Sequence, residues 1–228
     1  MSYTAANNTL SVTWSGFSDA HSGITSYKAA IEDAAGNSVV AWTGVGNDSA
    51  WTATGLSLSS GTTYKGIIRA VDAAGNLSSN VSTNGITVDT DAPVIGYVID
   101  GDTGDIDWSN VTTALSLSWD GFSDPLSGLS YYEYSVGTTF GGMETISWTS
   151  ASRVDSTVSS SISLPNTTTY YSSVRAVDSV GNISVFATSD GFTIDTDIPS
   201  VVYVNEGSAA LDQDIQNLSL IHISEPTR

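Results

Sequence analysis

Cysteine is absent from all 228 residues, which excludes a disulfide framework, a thiolate metal site and a cysteine nucleophile. Basic residues are scarce: 6 Lys and Arg stand against 24 Asp and Glu, for a net charge of −18. A nucleic-acid partner is thereby excluded, since a phosphate backbone would be repelled. Adsorption to an anionic lipid surface is excluded for the same reason. Cations are the natural counterpart of such a chain, and its acidity suits a long array that must stay soluble. No run approaches the roughly 18 apolar residues of a membrane-crossing helix, so no membrane insertion is expected. No signal-peptide pattern precedes the first strand-like segment; for a secreted protein the true N-terminus is then expected upstream.

What is present points to β structure. Hydrophobic residues make up 40% and charged residues only 13%, and Ser, Thr, Gly and Asn fill much of the rest. Recurring Trp, Tyr, Val and Ile favour strands and argue against disorder. The last eleven residues, Leu218 to Arg228 (LSLIHISEPTR), resemble the in-frame translation of a sequencing adapter. They are set aside from fold reasoning, and His222 leaves every site argument with them.

The rest of the chain repeats itself. LSVTWSGFSD from Leu10 returns as LSLSWDGFSD from Leu115, an offset of 105. IRAVDAAGNLS from Ile68 returns as VRAVDSVGNIS from Val174, and GITVDTDAP from Gly85 as GFTIDTDIP from Gly191, both at 106. A period near 100 residues is a whole domain rather than a solenoid turn. Within each copy apolar residues alternate: Leu10, Val12, Trp14; Tyr27, Ala29, Ile31; Tyr64, Gly66, Ile68, Ala70. Period two with one apolar face predicts half-buried antiparallel strands. Ser22-Gly23, Gly36-Asn37, Gly75-Asn76, Ser127-Gly128 and Gly181-Asn182 mark the turns.

These residues carry a resemblance. Each copy resembles a fibronectin type III module of the kind found in bacterial surface and secreted proteins. Trp14 and Trp119 match its strand-B Trp. Leu58-SSGTT-Tyr64 and Leu164-PNTTT-Tyr170 resemble its tyrosine corner, in which the phenol bonds back to upstream backbone. VDTDAP and IDTDIP resemble linkers between bacterial immunoglobulin-like modules. The implied fold is all-β: tandem fibronectin type III-like antiparallel β-sandwiches. Residues 1–90 are expected to form one module with an incomplete first strand, 91–196 a second, and 197–217 the start of a third. The short junction containing Pro93 implies a semi-rigid rod.

The same topology implies where chemistry would sit. The B–C and F–G loops lie at the end where the first strand enters. Asp120 and Asp124, Asp178 and Asn182, and Asp89 and Asp91 of the incoming junction are therefore expected to converge. They would supply oxygens for Ca²⁺, which takes 6–8 such ligands; Asp and Asn that merely bond their own turns are the competing reading. Asp19, Asp72 and Asn76 repeat the loop half in the first copy, and Asp195 and Asp197 would serve the next boundary. The acidic stretch from Asp100 to Trp108 lacks the Glu of a calcium loop, with Val111 at that place, and is expected to be solvated. Trp42 and Trp148 are expected in the core or between sheets. Trp51 and Trp108 are expected to be exposed. Arg69 and Arg175 are expected on an outer face, solvated or in cross-strand ion pairs.

His21 sits in a loop where the second copy has Leu126, and no nucleophile–His–acid set accompanies it. The expected function is a non-catalytic extracellular or cell-surface spacer or adhesion module. Its partners would be neighbouring modules of the same chain, and cell-surface or polysaccharide ligands. The rival is an accessory or carbohydrate-binding segment of a secreted polysaccharide-degrading enzyme.

Overall fold

Alternation along each strand folds into a pair of facing sheets, twice over. The computed structural model describes residues 1–151 and 156–200. The first sandwich contains β1 (Tyr3–Thr4), β2 (Thr9–Thr13), β3 (Ile24–Asp33), β4 (Ser38–Gly44), β5 (Ala50–Thr54), β6 (Thr63–Asp72), β7 (Val81–Ser82) and β8 (Ile86–Val88). The second contains β9 (Tyr97–Asp100), β10 (Trp108–Ser109), β11 (Ala114–Asp120), β12 (Leu129–Gly137), β13 (Ile146–Ser150), β14 (Ser156–Ser160), β15 (Thr169–Asp178), β16 (Ala187–Thr188) and β17 (Phe192–Ile194). No helix occurs among the described residues. Residues 1–195 form one compact unit that holds both sandwiches, and residues from 196 onward form another, of which 196–200 are described. The expected third module and the adapter-like tail lie largely outside the described residues.

In the second sandwich one sheet runs β14-β11-β9 and the other β10-β17-β15-β12-β13, with β16 on β15. The first repeats this with β2-β5 and β1-β8-β6-β3-β4, with β7 on β6. Pairing is antiparallel except where β1 meets β8 and β10 meets β17. The strand β9 has no counterpart in the first sandwich among the described residues.

Each sandwich encloses its own core. One packs Leu10, Val12, Ala29, Ile31, Ile68 and Val88, and the other Leu117, Trp119, Val136, Leu164, Val174 and Ile194. An aromatic group recurs at one end. Trp14 meets Tyr27 edge-on at 5.4 Å and Trp119 meets Tyr132 at 5.4 Å, with Phe17 and Phe122 against the same tyrosines. Edge-to-face geometry is what the ring quadrupole favours.

Two tryptophan expectations require correction. Trp51 is half-buried against the first core. It shares a face of β5 with buried Ala53, and Gly55, at φ 70°, resets the alternation before Leu56 and Leu58. Trp42 and Trp148 lie in neither core. Register shifts between Ala29 and Ile31, and between Tyr134 and Val136, turn them to the outer sheet face. There the guanidinium groups of Arg69 and Arg175 stack on them at 4.1 and 4.3 Å. Arg175 also pairs with its cross-strand neighbour Glu133 at 2.6 Å. Arg69 faces Lys28 at the same register and has no such pair among the described residues.

The tyrosine corner closes in one copy only. The Ser59 N–H donates to the Tyr64 hydroxyl at 2.8 Å. Pro165 occupies the equivalent place and has no N–H to give. Tyr170 pairs with the Thr168 hydroxyl instead, and burial pushes its phenol above the ordinary value. In the same turn Thr167 adopts φ 60° where the first copy has Gly61 at φ 75°. Both make the same backbone bond, to Ile194 and Val88 respectively, and the further acceptor of the Thr167 N–H, Asn166 Oδ1 at 3.0 Å, does not depend on the Thr side chain, so the β-branched residue carries strain that its bonds do not require. Thr167→Gly is expected to stabilise the chain by about 0.5–1 kcal/mol, read as a raised urea midpoint at unchanged slope.

Candidate functional site

The handover from β8 to β9 is made by residues 89–96. Asp89 is fully buried there. Its N–H donates to the Thr4 carbonyl at 2.8 Å. Its Oδ1 accepts from the Asp91 N–H at 3.1 Å and its Oδ2 from the Ser127 N–H at 3.1 Å. Its carbonyl accepts from Asn182 Nδ2 at 3.0 Å. Thr4 belongs to the first sandwich, Ser127 and Asn182 to the second, so one residue is bonded to both. Farther along, Val94 and Ser123 pair through their backbones. Gly96 lies so close to the Asp120 carbonyl and the Phe122 backbone that no Cβ would fit.

Around Asp89 the two expected loops close in. Asp124, after β11, accepts from the Leu126 and Gly128 N–H groups through Oδ1. Asp178, at the end of β15, accepts from Val180, Gly181 and Asn182 N–H through Oδ1, and from Asn182 Nδ2 through Oδ2. Carboxylate oxygens of Asp89, Asp124 and Asp178 lie within 4.8 Å of one another. Asp89 and Asp178 are buried and Asp124 half-buried. Asp124 Oδ2 and Ser127 Oγ are both shielded from solvent without a hydrogen-bond partner. Such orphaned oxygens in an all-oxygen donor set fit a hard cation such as Ca²⁺.

Two residues of the expected set lie elsewhere. Asp91 is exposed and turns back to the first sandwich, where Ser60 Oγ donates to its Oδ2 at 3.0 Å. Asp120 is exposed at the end of β11 and accepts from its neighbour Gly121. In the first sandwich Asp19 caps the His21, Ser22 and Gly23 amides, and Asp72 takes the Asn76 amide and side chain. The Gly23 and Ser22 amides hold Asp19 below the usual carboxylate range, and the Asn76 side chain does the same for Asp72. Asp195 and Asp197 are exposed. His21 is exposed in the loop capped by Asp19.

The acidic stretch after β9 also requires correction. Residues 102–108 are exposed, but Asp100 is fully buried. Ser172 Oγ donates to its Oδ1 at 2.8 Å and the Gly191 N–H to its Oδ2 at 3.1 Å. Asp105 and Asp190 bring carboxylates near it, but the partners of Asp100 mark it as an internal anchor holding β9 across to β15. Alternation could not reveal this, because the first copy has Gly66 opposite and no β9. Burial, more than the Ser172 and Ser189 hydroxyls can offset, pushes the Asp100 carboxyl up.

The sign of the pH effect follows. A carboxyl whose folded value is raised contributes stability below its unfolded value and loses it as pH rises through the folded one. Asp100→Asn is therefore expected to melt above the parent at pH 7, with the gap closing near pH 3.5. A variant penalised more at pH 7 than at pH 3.5 would show that the ionised form is needed.

No protein-family model matches the chain. Chitinase A1 of Niallia circulans is 32% identical over 147 residues, which is 64% of this chain and 19% of that protein. The chain thus spans about a fifth of the curated relative it matches. Among solved structures, the FN1–FN3 domains of chicken CNTN1 overlay with a TM-score of 0.40 at 18% identity, covering 82% of this chain and 64% of that one.

Proposed function

Given that the chain is built of fibronectin type III-like β-sandwich modules, we propose that it is a non-catalytic spacer in a longer extracellular or surface protein. Calcium at the module boundary holds it straight. The carrying observation is Asp89, buried at the handover, bonded to both sandwiches and facing Asp124 and Asp178. Three carboxylates this close repel unless a cation lies among them. Calcium would take oxygens from these three, and Ser127 Oγ is free to add one more. The ion's charge would bind the incoming strand to both loops of the second module. Such a rod presents whatever lies beyond it at a fixed distance, and the strong negative charge keeps it in solution. Its first partners are neighbouring modules of the same chain.

A second reading has its own support. The relative that shares 32% identity is a chitinase, which favours an accessory segment of a secreted polysaccharide-degrading enzyme. The spacer mechanism is the same in both settings. Sequence of the gene on either side separates them: a catalytic domain supports the enzyme, a wall- or membrane-anchoring region the surface protein.

Thermal melts with calcium and with chelator test the ion. A ligand present at about 100 times its dissociation constant stabilises the folded state by about 2.7 kcal/mol, or roughly 5–10 °C for a chain of this size. The expected result is a rise of that order in millimolar calcium, lost in Asp89→Asn and kept in Asp91→Asn. Superimposed melts of the parent chain would reduce the acids to turn residues.

A further inference from the structure

The second sandwich carries a surface that the first does not. Phe140 is 69% exposed, Val185 69%, Met143 48% and Phe186 47%. Phe140 and Phe186 come together beside the sheet that ends in β13. Residues 138–145, between β12 and β13, fold over the outer face there. Ser135 Oγ donates to the Gly142 carbonyl at 3.2 Å, and Ser135 and Ser173 are fully buried as a result. Phe140 lies against Tyr171 with ring centroids 4.6 Å apart. Phe186 lies 6.1 Å from Trp148. Gly141 joins the two pairs, since a Cβ there would sit 2.7 Å from Phe186 Cζ.

The sandwich does not require these rings. The first copy folds the same way with Lys65, Ser79 and Asn80 in place of Tyr171, Val185 and Phe186. Apolar side chains exposed together, and absent from the sister module, mark a binding face. We propose that this face binds a neutral glycan chain, whose sugar rings lie flat on Phe140 and Phe186.

Charge and size select that occupant. A chain of net charge −18 repels polyanions and a second copy of itself. Arg175, the cation stacked on Trp148, is already paired with Glu133. Four exposed apolar side chains are far fewer than the roughly 20–30 residues that each partner of a stable protein interface contributes. A sugar chain needs only a few aromatic faces for its C–H surfaces and carries no charge to be repelled. This inference goes beyond the spacer reading and is independent of calcium.

Depletion assays test it. The full chain is mixed with insoluble cellulose, chitin, xylan and mannan, and the unbound fraction is measured for the parent, Phe140→Ala, Phe186→Asn and Trp108→Ala. Phe186→Asn installs the residue of the sister module, and Phe140 is mostly exposed, so both variants are expected to melt as the parent does. The expected result is depletion of the parent by at least one polymer. Binding should weaken about tenfold for either ring variant, the loss due to one aromatic contact, and be unchanged for Trp108→Ala. No depletion by any polymer would overturn the proposal, as would equal binding by both ring variants. Concentration-dependent dimerisation of the parent, lost in the ring variants, would assign the face to a second copy instead.

Discussion

The whole arrangement depends on a carboxylate taken out of water at the point where one sandwich ends. Desolvating an ionised Asp costs several kcal/mol unless its oxygens are satisfied. Asp89 satisfies them with backbone amides from its own linker and from the second sandwich, while its N–H and carbonyl reach opposite modules. Replacing its side chain would remove the bonds from the Asp91 and Ser127 amides and leave the linker start held by its backbone bonds to Thr4 and Asn182 alone. The pairing of Val94 with Ser123 and the close approach at Gly96 continue the attachment to the second sandwich farther along the linker.

The two copies show what the frame demands and what it leaves free. Both keep the Trp–Tyr edge contact, the Asp-capped loops and the parallel closing strand. They part at Pro165 and Thr167, where a good turn has been exchanged for a strained one. They part again at Asp100, which ties a strand present only in the second copy, and at the aromatic face. Of these differences, the aromatic face is one that the first module folds without.

Much of this was legible in the residues. Period-two alternation placed the strands, and the repeat offsets placed the loops that meet at the boundary. Asp89, Asp124, Asp178 and Asn182 follow from that placement. Asp91 and Asp120 do not join them. Asp91 is taken by Ser60 of the first sandwich, and Asp120 lies exposed at the end of β11 beside Gly121. The tryptophans failed for a different reason. A bulge or a left-handed glycine shifts the phase by one residue and exchanges inside for outside. Asp100 was read by its exposed neighbours, whereas its surroundings come from Ser172 and Gly191, far along the chain.

An Asp89 bonded to both sandwiches should make them move as one body. The chain has no cysteine, so Asn47→Cys and Ser147→Cys, both at exposed positions in different sandwiches, can carry a pair of spin labels without interference. Pulsed dipolar spectroscopy in calcium-containing buffer then reads the distribution of distances between them. The account predicts one narrow distribution that broadens when Asp89→Ala is added. A broad distribution in the parent, or one that Asp89→Ala leaves unchanged, would contradict it.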